Sequence, residues 1–210
     1  MIHGLILVDK PRGMTSFGVV ERLRRYLRQR KMGHGGTLDP ISTGLLVVGA
    51  GEGTKLLPLL NQDKEYLVTL RLGVETDTQD AAGRVIATSD RLPSPQEIRA
   101  ALEGLRGRRI KQIPPMYSAL KHQGVPLYRL ARQGIEVERP PREVEIQELE
   151  VLEVRPPRAT FRLRCSRGTY VRTLCADVGR QLGCGGCLED LRRLASGPFR
   201  VEEAWDLMLS

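Results

Sequence analysis

Short apolar runs dominate the first part of the chain and predict β-strands. The runs occupy residues 2–8, 45–48, 66–72 and 84–88. The turn-forming sequence Asp9-Lys10-Pro11-Arg12-Gly13 follows the first run. Residues 33–40 include three glycines within four positions, so we expect a loop there, before the second strand.

Apolar residues at helical spacing predict five helices. Thr15 or Ser16 can cap the first, which is apolar on one face and basic on the other. The apolar face comprises Val19, Val20, Leu23, Tyr26 and Leu27, and the basic face comprises Arg22, Arg24, Arg25, Arg28 and Arg30. The second helix begins at Ser94-Pro95-Gln96-Glu97, a capping box with proline at the first helical position. The others are predicted at residues 127–133, 169–182 and 188–194.

Residues 144–154 and 160–165 alternate apolar with charged side chains, as antiparallel strands with one solvated face do. Because the strands are broken by helices without strict β-α-β alternation, the predicted fold class is α+β. We expect a mixed, mostly antiparallel central sheet flanked by helices, in a single domain over residues 1–210. Residues 111–133 form a candidate protruding segment of that domain.

The charge balance narrows the choice of partners. Lys and Arg number 33 against 25 Asp and Glu, so the formal net charge is +8. This excess fits either a nucleic-acid-binding protein or a soluble protein with a solvated basic surface. Aromatic residues make up only 4% of the chain, and none cluster in the sequence as a base-stacking platform would require. If RNA binds, we expect phosphate contacts and shape to supply most of the affinity.

Two local patterns resemble cofactor sites but lack the necessary spacing. Gly49-Ala50-Gly51-Glu52-Gly53-Thr54-Lys55 has neither the third glycine of a dinucleotide fingerprint nor the Gly-Lys-Ser/Thr order of a phosphate loop. Cys184 and Cys187 are spaced like a zinc or redox pair, but no second pair accompanies them, so free thiols are the simpler interpretation. We therefore predict no cofactor and no metal.

No apolar run approaches the roughly 18 residues that span a bilayer. The N-terminus also lacks the basic region and small-residue cleavage site of a signal peptide. We therefore expect a cytoplasmic protein.

Gly33-His34-Gly35-Gly36-Thr37-Leu38-Asp39-Pro40 is the most informative stretch for chemistry. Its glycines allow close approach of the backbone to a ligand. Pro40 pushes the backbone of Asp39 toward the extended region, which helps to fix where the carboxylate points. This loop lies between the predicted basic helix and a buried strand, so Asp39 is a candidate catalytic residue.

Several motifs, in order along the chain, resemble the TruB family of pseudouridine synthases. They are Asp9-Lys10-Pro11-x-Gly13-x-Thr15-Ser16, Gly33-His34-x-Gly36-Thr37-Leu38-Asp39-Pro40-x-x-Thr43-Gly44, Lys64-x-Tyr66, Pro114-Pro115-x-Tyr117-Ser118-Ala119-x-Lys121, Gly168-Thr169-Tyr170-Val171-Arg172 and Leu191-Arg192-Arg193. The resemblance implies the pseudouridine synthase catalytic fold. It also implies that uridine is isomerised, which requires no metal or redox step.

The resemblance implies a role for each matching residue. Asp39 would be the nucleophile, with Arg172 paired to its carboxylate and Tyr66 stacked on the uracil near the proton that leaves C5. The implied substrate-binding residues are His34, Tyr66, Tyr170, Leu191 and Lys10. The arginine-rich first helix and residues 111–132 would grip the RNA backbone, and 111–133 would be the clamping segment. Whether Asp39 attacks the sugar or acts otherwise stays open.

The implied substrate is uridine 55 in the T stem-loop of tRNA, flipped out of its stack and modified by a monomer without guide RNA. Two alternatives stay open: an RNA-binding protein without turnover, and a guide-dependent synthase within a ribonucleoprotein. Bacterial members of the family usually continue into a small C-terminal PUA-type domain. The sequence is expected to lack that domain, because it stops at Ser210.

Overall fold

The structure is a computed structural model that describes residues 1–60 and 63–207. The last three positions of the predicted domain 1–210 lie outside the described residues. The strands are β1 (Gly4–Lys10), β2 (Met32–His34), β3 (Thr43–Ala50), β4 (Lys64–Leu72), β5 (Val74–Thr76), β6 (Val85–Thr88), β7 (Arg108–Gln112), β8 (Lys121–His122), β9 (Val125–Pro126), β10 (Arg142–Arg155), β11 (Arg158–Cys165), β12 (Gly186–Ser196), β13 (Phe199–Arg200) and β14 (Trp205–Asp206). The helices are α1 (Ser16–Tyr26), α2 (Pro95–Glu103), α3 (Leu127–Arg132) and α4 (Val171–Gln181).

The chain divides into two compact units. Unit 1 comprises Met1–Val68, Leu163–Arg167 and Asp190–Ser210, and unit 2 comprises Thr69–Arg162 and Gly168–Glu189. Parallel and antiparallel strand pairs both occur, which confirms the mixed sheet predicted from the sequence. No helix within the described ranges is long and apolar enough to cross a membrane.

Unit 1 is built around an antiparallel pair, β1 and β3, which are in register from Gly4 opposite Ala50 to Lys10 opposite Gly44. Both faces of this pair are covered by apolar side chains. Val19, Val20 and Leu23 of α1 pack on one face, and the side chains of Leu45 and Val47 belong to a cluster on the other. The Thr15 hydroxyl caps α1 by accepting a hydrogen bond from the Gly18 amide, as predicted. Parallel strands lie on either side of the pair, β14 beside β1 and β12 beside β3.

Unit 2 contains strand β10, the part of β11 up to Arg162, and the helix α2. The capping box at Ser94 is present: its hydroxyl accepts from the Glu97 amide, while the Glu97 carboxylate accepts from the Ser94 amide. Ile98 and Leu102 of α2 are fully buried. In the sheet, β11 neighbours β10, and β10 pairs antiparallel with β7. α4 begins at Val171, close to the predicted start at 169.

Two predictions of local structure are wrong. Residues 188–194 do not form a helix but lie within strand β12, and residues 33–34 of the predicted loop belong to strand β2. Leu188, Leu191 and Leu194 recur every third residue, which suits a helix. The parallel pairing of β12 with β3 overrides this spacing, because it satisfies the backbone while burying side chains on both faces of the strand.

Candidate active site

Backbone hydrogen bonds on both sides fix the loop that carries Asp39. The Ser16 hydroxyl accepts from the Leu38 amide at 2.8 Å and donates to the Leu38 carbonyl at 3.0 Å. The Gly13 amide donates to the Pro40 carbonyl at 2.7 Å, and the Ser42 amide donates to the Asp39 carbonyl at 3.0 Å. With Leu38 buried as well, the half-buried Asp39 side chain projects from a backbone held before, at and after it.

Lys10 supplies a buried cation near this loop. Its ammonium donates to the Pro11 carbonyl at 3.0 Å and to the Met14 carbonyl at 2.6 Å. Burial lowers the pKa of Lys10 to about 8, and the negative charge of Asp39 opposes this shift. The charges around Asp39 therefore include a lysine that is still mainly protonated at neutral pH.

Arg193 is the central polar side chain of the site and was not singled out from the sequence. It is only 1% exposed. Its Nε donates to the Leu45 carbonyl at 2.6 Å, one terminal nitrogen donates to the Gly36 carbonyl at 3.2 Å, and its guanidinium hydrogen-bonds the Tyr66 side chain. Arg193 thus joins the glycine-rich loop, strand β3 and strand β4.

Gly44 makes room for this arginine. In the β12–β3 pairing, Arg193 lies opposite Gly44, whose φ is +99°. A Cβ added at Gly44 would lie 2.3 Å from the Arg193 carbonyl oxygen, so only glycine fits. Both Gly44 and Arg193 belong to motifs that resemble the TruB family. Membership of the motif Leu191-Arg192-Arg193 was the sequence signal that could have identified Arg193.

Tyr66 is buried beside Arg193, with 6% of its surface exposed. Burial raises the pKa of Tyr66 to about 12, while the positive charge of Arg193 opposes the rise and the negative charge of Asp39 adds to it. The hydroxyl is therefore protonated at neutral pH. Because Arg193 donates to the phenolic oxygen, the hydroxyl proton is available to another acceptor.

Two further predicted residues lie in unit 1. His34 ends strand β2, and burial followed by the charge of Arg193 lowers its pKa, so the imidazole is neutral at pH 7. Leu191 is buried in β12, two residues before Arg193. Unit 1 therefore contains five of the seven predicted site residues: Lys10, His34, Asp39, Tyr66 and Leu191.

The other two, Arg172 and Tyr170, belong to unit 2. The Arg172 guanidinium donates to the Thr78 carbonyl at 2.9 Å and to the Tyr117 carbonyl at 2.7 Å. It also forms a buried ion pair with Asp80 at 3.7 Å, a partner that the sequence did not suggest. The Tyr170 backbone exchanges two hydrogen bonds with the Gln112 amide. The predicted pair between Asp39 and Arg172 stays a prediction.

The four cysteines are free and buried. Burial raises the pKa of the Cys187 thiol to about 11, so it is protonated at neutral pH. Within the described residues, no group of three or more His, Cys, Asp or Glu side chains could hold a metal ion.

Comparison with known proteins identifies the relatives of this chain. The model of the TruB family pseudouridylate synthase N-terminal domain matches residues 24–171, and that of the tRNA pseudouridylate synthase B C-terminal domain matches residues 172–208. A tRNA pseudouridine synthase B from Syntrophotalea carbinolica is 53% identical over 207 residues, 97% of this chain and 67% of the relative. One from Geobacter sulfurreducens is 53% identical over 208 residues, covering 98% and 68%.

Solved structures agree. The crystal structure of a Cbf5-Nop10-Gar1 complex matches with a TM-score of 0.75 and 32% identity, covering 98% of this chain and 53% of that one. The H/ACA RNP bound to a substrate RNA containing 2'-deoxyuridine matches with a TM-score of 0.71 and 29% identity, covering 98% and 51%. The chain thus spans about two thirds of these curated relatives and about half of the solved chains.

The fold is the catalytic fold of the pseudouridine synthase class. Within that class, the chain belongs to the TruB family.

Proposed function

We propose that this protein isomerises uridine 55 in the T loop of tRNA to pseudouridine, as a cytoplasmic monomer without guide RNA. The observation that carries the proposal is the fixed Asp39 loop, which lies in one unit with Lys10, Tyr66 and Arg193. The relatives named tRNA pseudouridine synthase B, about half identical to this chain, support tRNA as the substrate.

The reaction breaks the N1–C1′ bond of uridine, turns the base and joins C5 to C1′. One proton leaves C5 and one is gained at N1, so no oxidant or other reactant is consumed. We assign the nucleophile to Asp39, because a carboxylate can divide this exchange into two easier steps. Whether it attacks the sugar or acts otherwise is left to experiment.

Tyr66 has a more limited role than a base. Its pKa of about 12 means that a phenolate is scarce at neutral pH. We propose that the Tyr66 ring stacks on the uracil, while its hydroxyl accepts a hydrogen bond from Arg193 and helps to hold the ring in place. The carboxylate of Asp39 is then the better acceptor for the C5 proton.

Residues 111–133 are proposed to clamp the T arm. This segment contains four lysines and arginines and no acidic residue, so it suits phosphate contacts. It includes the β8–β9 hairpin and α3. Tyr117, within it, also accepts a hydrogen bond from Arg172, which ties the segment to a second proposed site residue.

The test is incubation of the purified protein with unmodified tRNA, followed by pseudouridine mapping at single-base resolution. We expect modification at position 55 and none after Asp39→Asn, since an amide matches the carboxylate in shape but is not a nucleophile. The affinity of the variant for tRNA should stay within a few-fold of that of the parent protein. This measurement is the control for folding.

A variant rate of one tenth or more of normal would remove Asp39 from the central role. If the parent protein binds tRNA tightly but forms no pseudouridine, an RNA-binding protein without turnover is favoured. Activity only after a guide RNA or partner protein is added would favour a ribonucleoprotein enzyme.

A further inference from the structure

Three aromatic side chains of unit 1 are the most exposed among the residues that the structure describes. The sequence has nine aromatic residues. Phe17 is 55% exposed, Tyr26 67% and Trp205 37%. Tyr26 lies on α1 and Trp205 on β14, so residues far apart in sequence form one surface, whereas Phe17 lies half a turn around α1 from Tyr26 and outside it. We call Tyr26 and Trp205, with the arginines Arg22 and Arg25 of α1, the α1–β14 surface.

A cavity lies on this surface. It measures about 730 Å³ and is lined by Arg22, Arg25, Tyr26 and Trp205 among apolar residues that include Met14 and Leu23. The rings of Tyr26 and Trp205 are 5.9 Å apart, with an angle of 41° between their planes. The volume is sufficient for a nucleotide, whose base could contact both rings.

The position of Trp205 is fixed by the fold. β14 pairs in parallel with β1, and Trp205 lies opposite Val8. Val8 is fully buried beneath α1 in the same core cluster as Val19 and Leu23. The tryptophan is therefore held beside the helix by backbone pairing, and it remains partly exposed although the adjacent core is closed.

The charge of the surface favours an anion. Residues 16–30 contain five arginines and one carboxylate, Glu21, and β14 adds Asp206 next to Trp205. The cavity lining itself contains two arginines and no carboxylate. Aromatic rings next to arginines are typical of sites that stack an unpaired base and neutralise its phosphate.

We propose that the α1–β14 surface binds an unpaired nucleotide of the RNA substrate, at a place separate from the target uridine. The base stacks against Tyr26 and Trp205, and Arg25 contacts the phosphate. The proposal rests on the proposed function for the class of ligand. It adds a second stacking contact to an interaction whose affinity is expected to come mostly from phosphate contacts and shape. An apolar protein partner fits less well, because it would cover charged arginine side chains without supplying a charged or hydrogen-bonding group of its own.

The sequence provides a local reporter, since Trp205 is its only tryptophan. Stacking of a base on this ring should quench its fluorescence. The experiment titrates the Asp39→Asn protein, in which turnover is blocked, with short single-stranded oligouridylate. A hairpin RNA with the same number of phosphates and a minimal loop is the matched ligand. We expect saturable quenching by oligouridylate and little by the hairpin, whose bases are paired.

Variants test the two components separately. Tyr26→Ala should weaken oligouridylate binding at least about fivefold, the lower end for loss of one stacked base. Arg25→Gln should reduce the log–log salt slope by about 0.7, one phosphate contact on a single strand. Arg155→Gln removes the same charge from an exposed position in unit 2 and should leave the slope and the quenching unchanged. Filter binding with Trp205→Leu supplies a readout independent of fluorescence, and we expect the same loss as for Tyr26→Ala.

Unchanged fluorescence at RNA concentrations that saturate filter binding would overturn the proposal, as would equal quenching by the hairpin. Self-association that Tyr26→Ala abolishes, without quenching by RNA, would assign the surface to a second copy of the chain. Isomerisation of tRNA is measured separately, for the Asp39→Asn variant and for the parent protein that retains Asp39. Modification of tRNA without quenching defeats only this inference, whereas quenching without modification defeats only the proposed function.

Discussion

Each of the two units buries an arginine, and the two guanidinium groups have different kinds of partner. Arg172 in unit 2 has the Asp80 carboxylate 3.7 Å away in addition to two carbonyl acceptors. Arg193 in unit 1 has two carbonyls and the Tyr66 side chain, and among the described residues it forms no ion pair with a carboxylate. One guanidinium is thus held by a charge and the other by dipoles.

This difference determines what each arginine does to its surroundings. A buried cation without a carboxylate partner exerts its field on neighbouring groups, because little solvent screens it. The charge of Arg193 lowers the pKa values of His34 and Lys64, after the larger effect of burial. It also opposes the rise in the pKa of Tyr66. The unit that contains Asp39 therefore has a fixed positive potential of its own.

The largest expected effect comes from Arg172→Lys. The ammonium can still face Asp80, but it cannot reproduce a planar donor that serves several acceptors at once. If Arg172 also pairs with Asp39, kcat on tRNA should fall at least about 100-fold in the folded variant, with KM changed little. Arg180→Lys, on the exposed end of the same helix, is the control. Near-normal turnover at saturating tRNA would show that the predicted pair is not needed.

The contrast between the arginines also shows what the sequence could predict. Asp39, Tyr66 and Arg172 were identified because each belongs to a recognisable motif. Arg193 belongs to such a motif too, but its importance depends on the Leu45 and Gly36 carbonyls, whose positions come from distant parts of the chain. The Asp80 partner of Arg172 is likewise separated from it by about ninety residues.

The same reasoning applies to the fold. The helix α2 was predicted well, because the capping box at Ser94 is a local signal. Strand β12 was mistaken for a helix, because its leucine spacing is local but its pairing with β3 is not. The α1–β14 surface could not be predicted for the same reason, because Tyr26 and Trp205 come together only when β14 pairs with β1.

The next effect concerns stability and tests how much the hydrogen bonds from Arg193 to backbone carbonyls stabilise the fold. Arg193→Met should destabilise the protein by about 2–5 kcal/mol, because it leaves buried carbonyls without donors. Arg12→Gln, which breaks an exposed pair with Asp190, should cost no more than about 1 kcal/mol. Denaturant unfolding gives both values. A loss for Arg193→Met as small as that for Arg12→Gln would contradict the assignment.

Arg193→Lys separates charge from hydrogen bonding. The lysine variant keeps the positive charge, so the pKa of His34 should stay low, whereas in a folded methionine variant the pKa of His34 should rise toward its ordinary value of 6.5. The chain has only three histidines, so NMR titration can follow each one. Equal His34 pKa values in the two variants would mean that burial alone sets the shift.

The smallest effect tests the buried lysine near Asp39. The pKa of Lys10 is about 8 in the folded protein and is ordinarily 10.5, so the unfolded chain binds more protons between these pH values. The free energy of unfolding should therefore gain from Lys10 as the pH rises from 8 to 10.5, by at most about 1.4 kcal/mol per pH unit. Lys64, also with a pKa of about 8, contributes in the same direction.

Lys10→Met should make the dependence of unfolding free energy on pH shallower in this window, whereas Lys111→Met, at an exposed position, should leave it unchanged. Chemical denaturation at several pH values measures the slope. A slope that is unchanged by Lys10→Met would mean that Lys10 keeps its ordinary pKa, and that the negative charge of Asp39 fully offsets the cost of its burial.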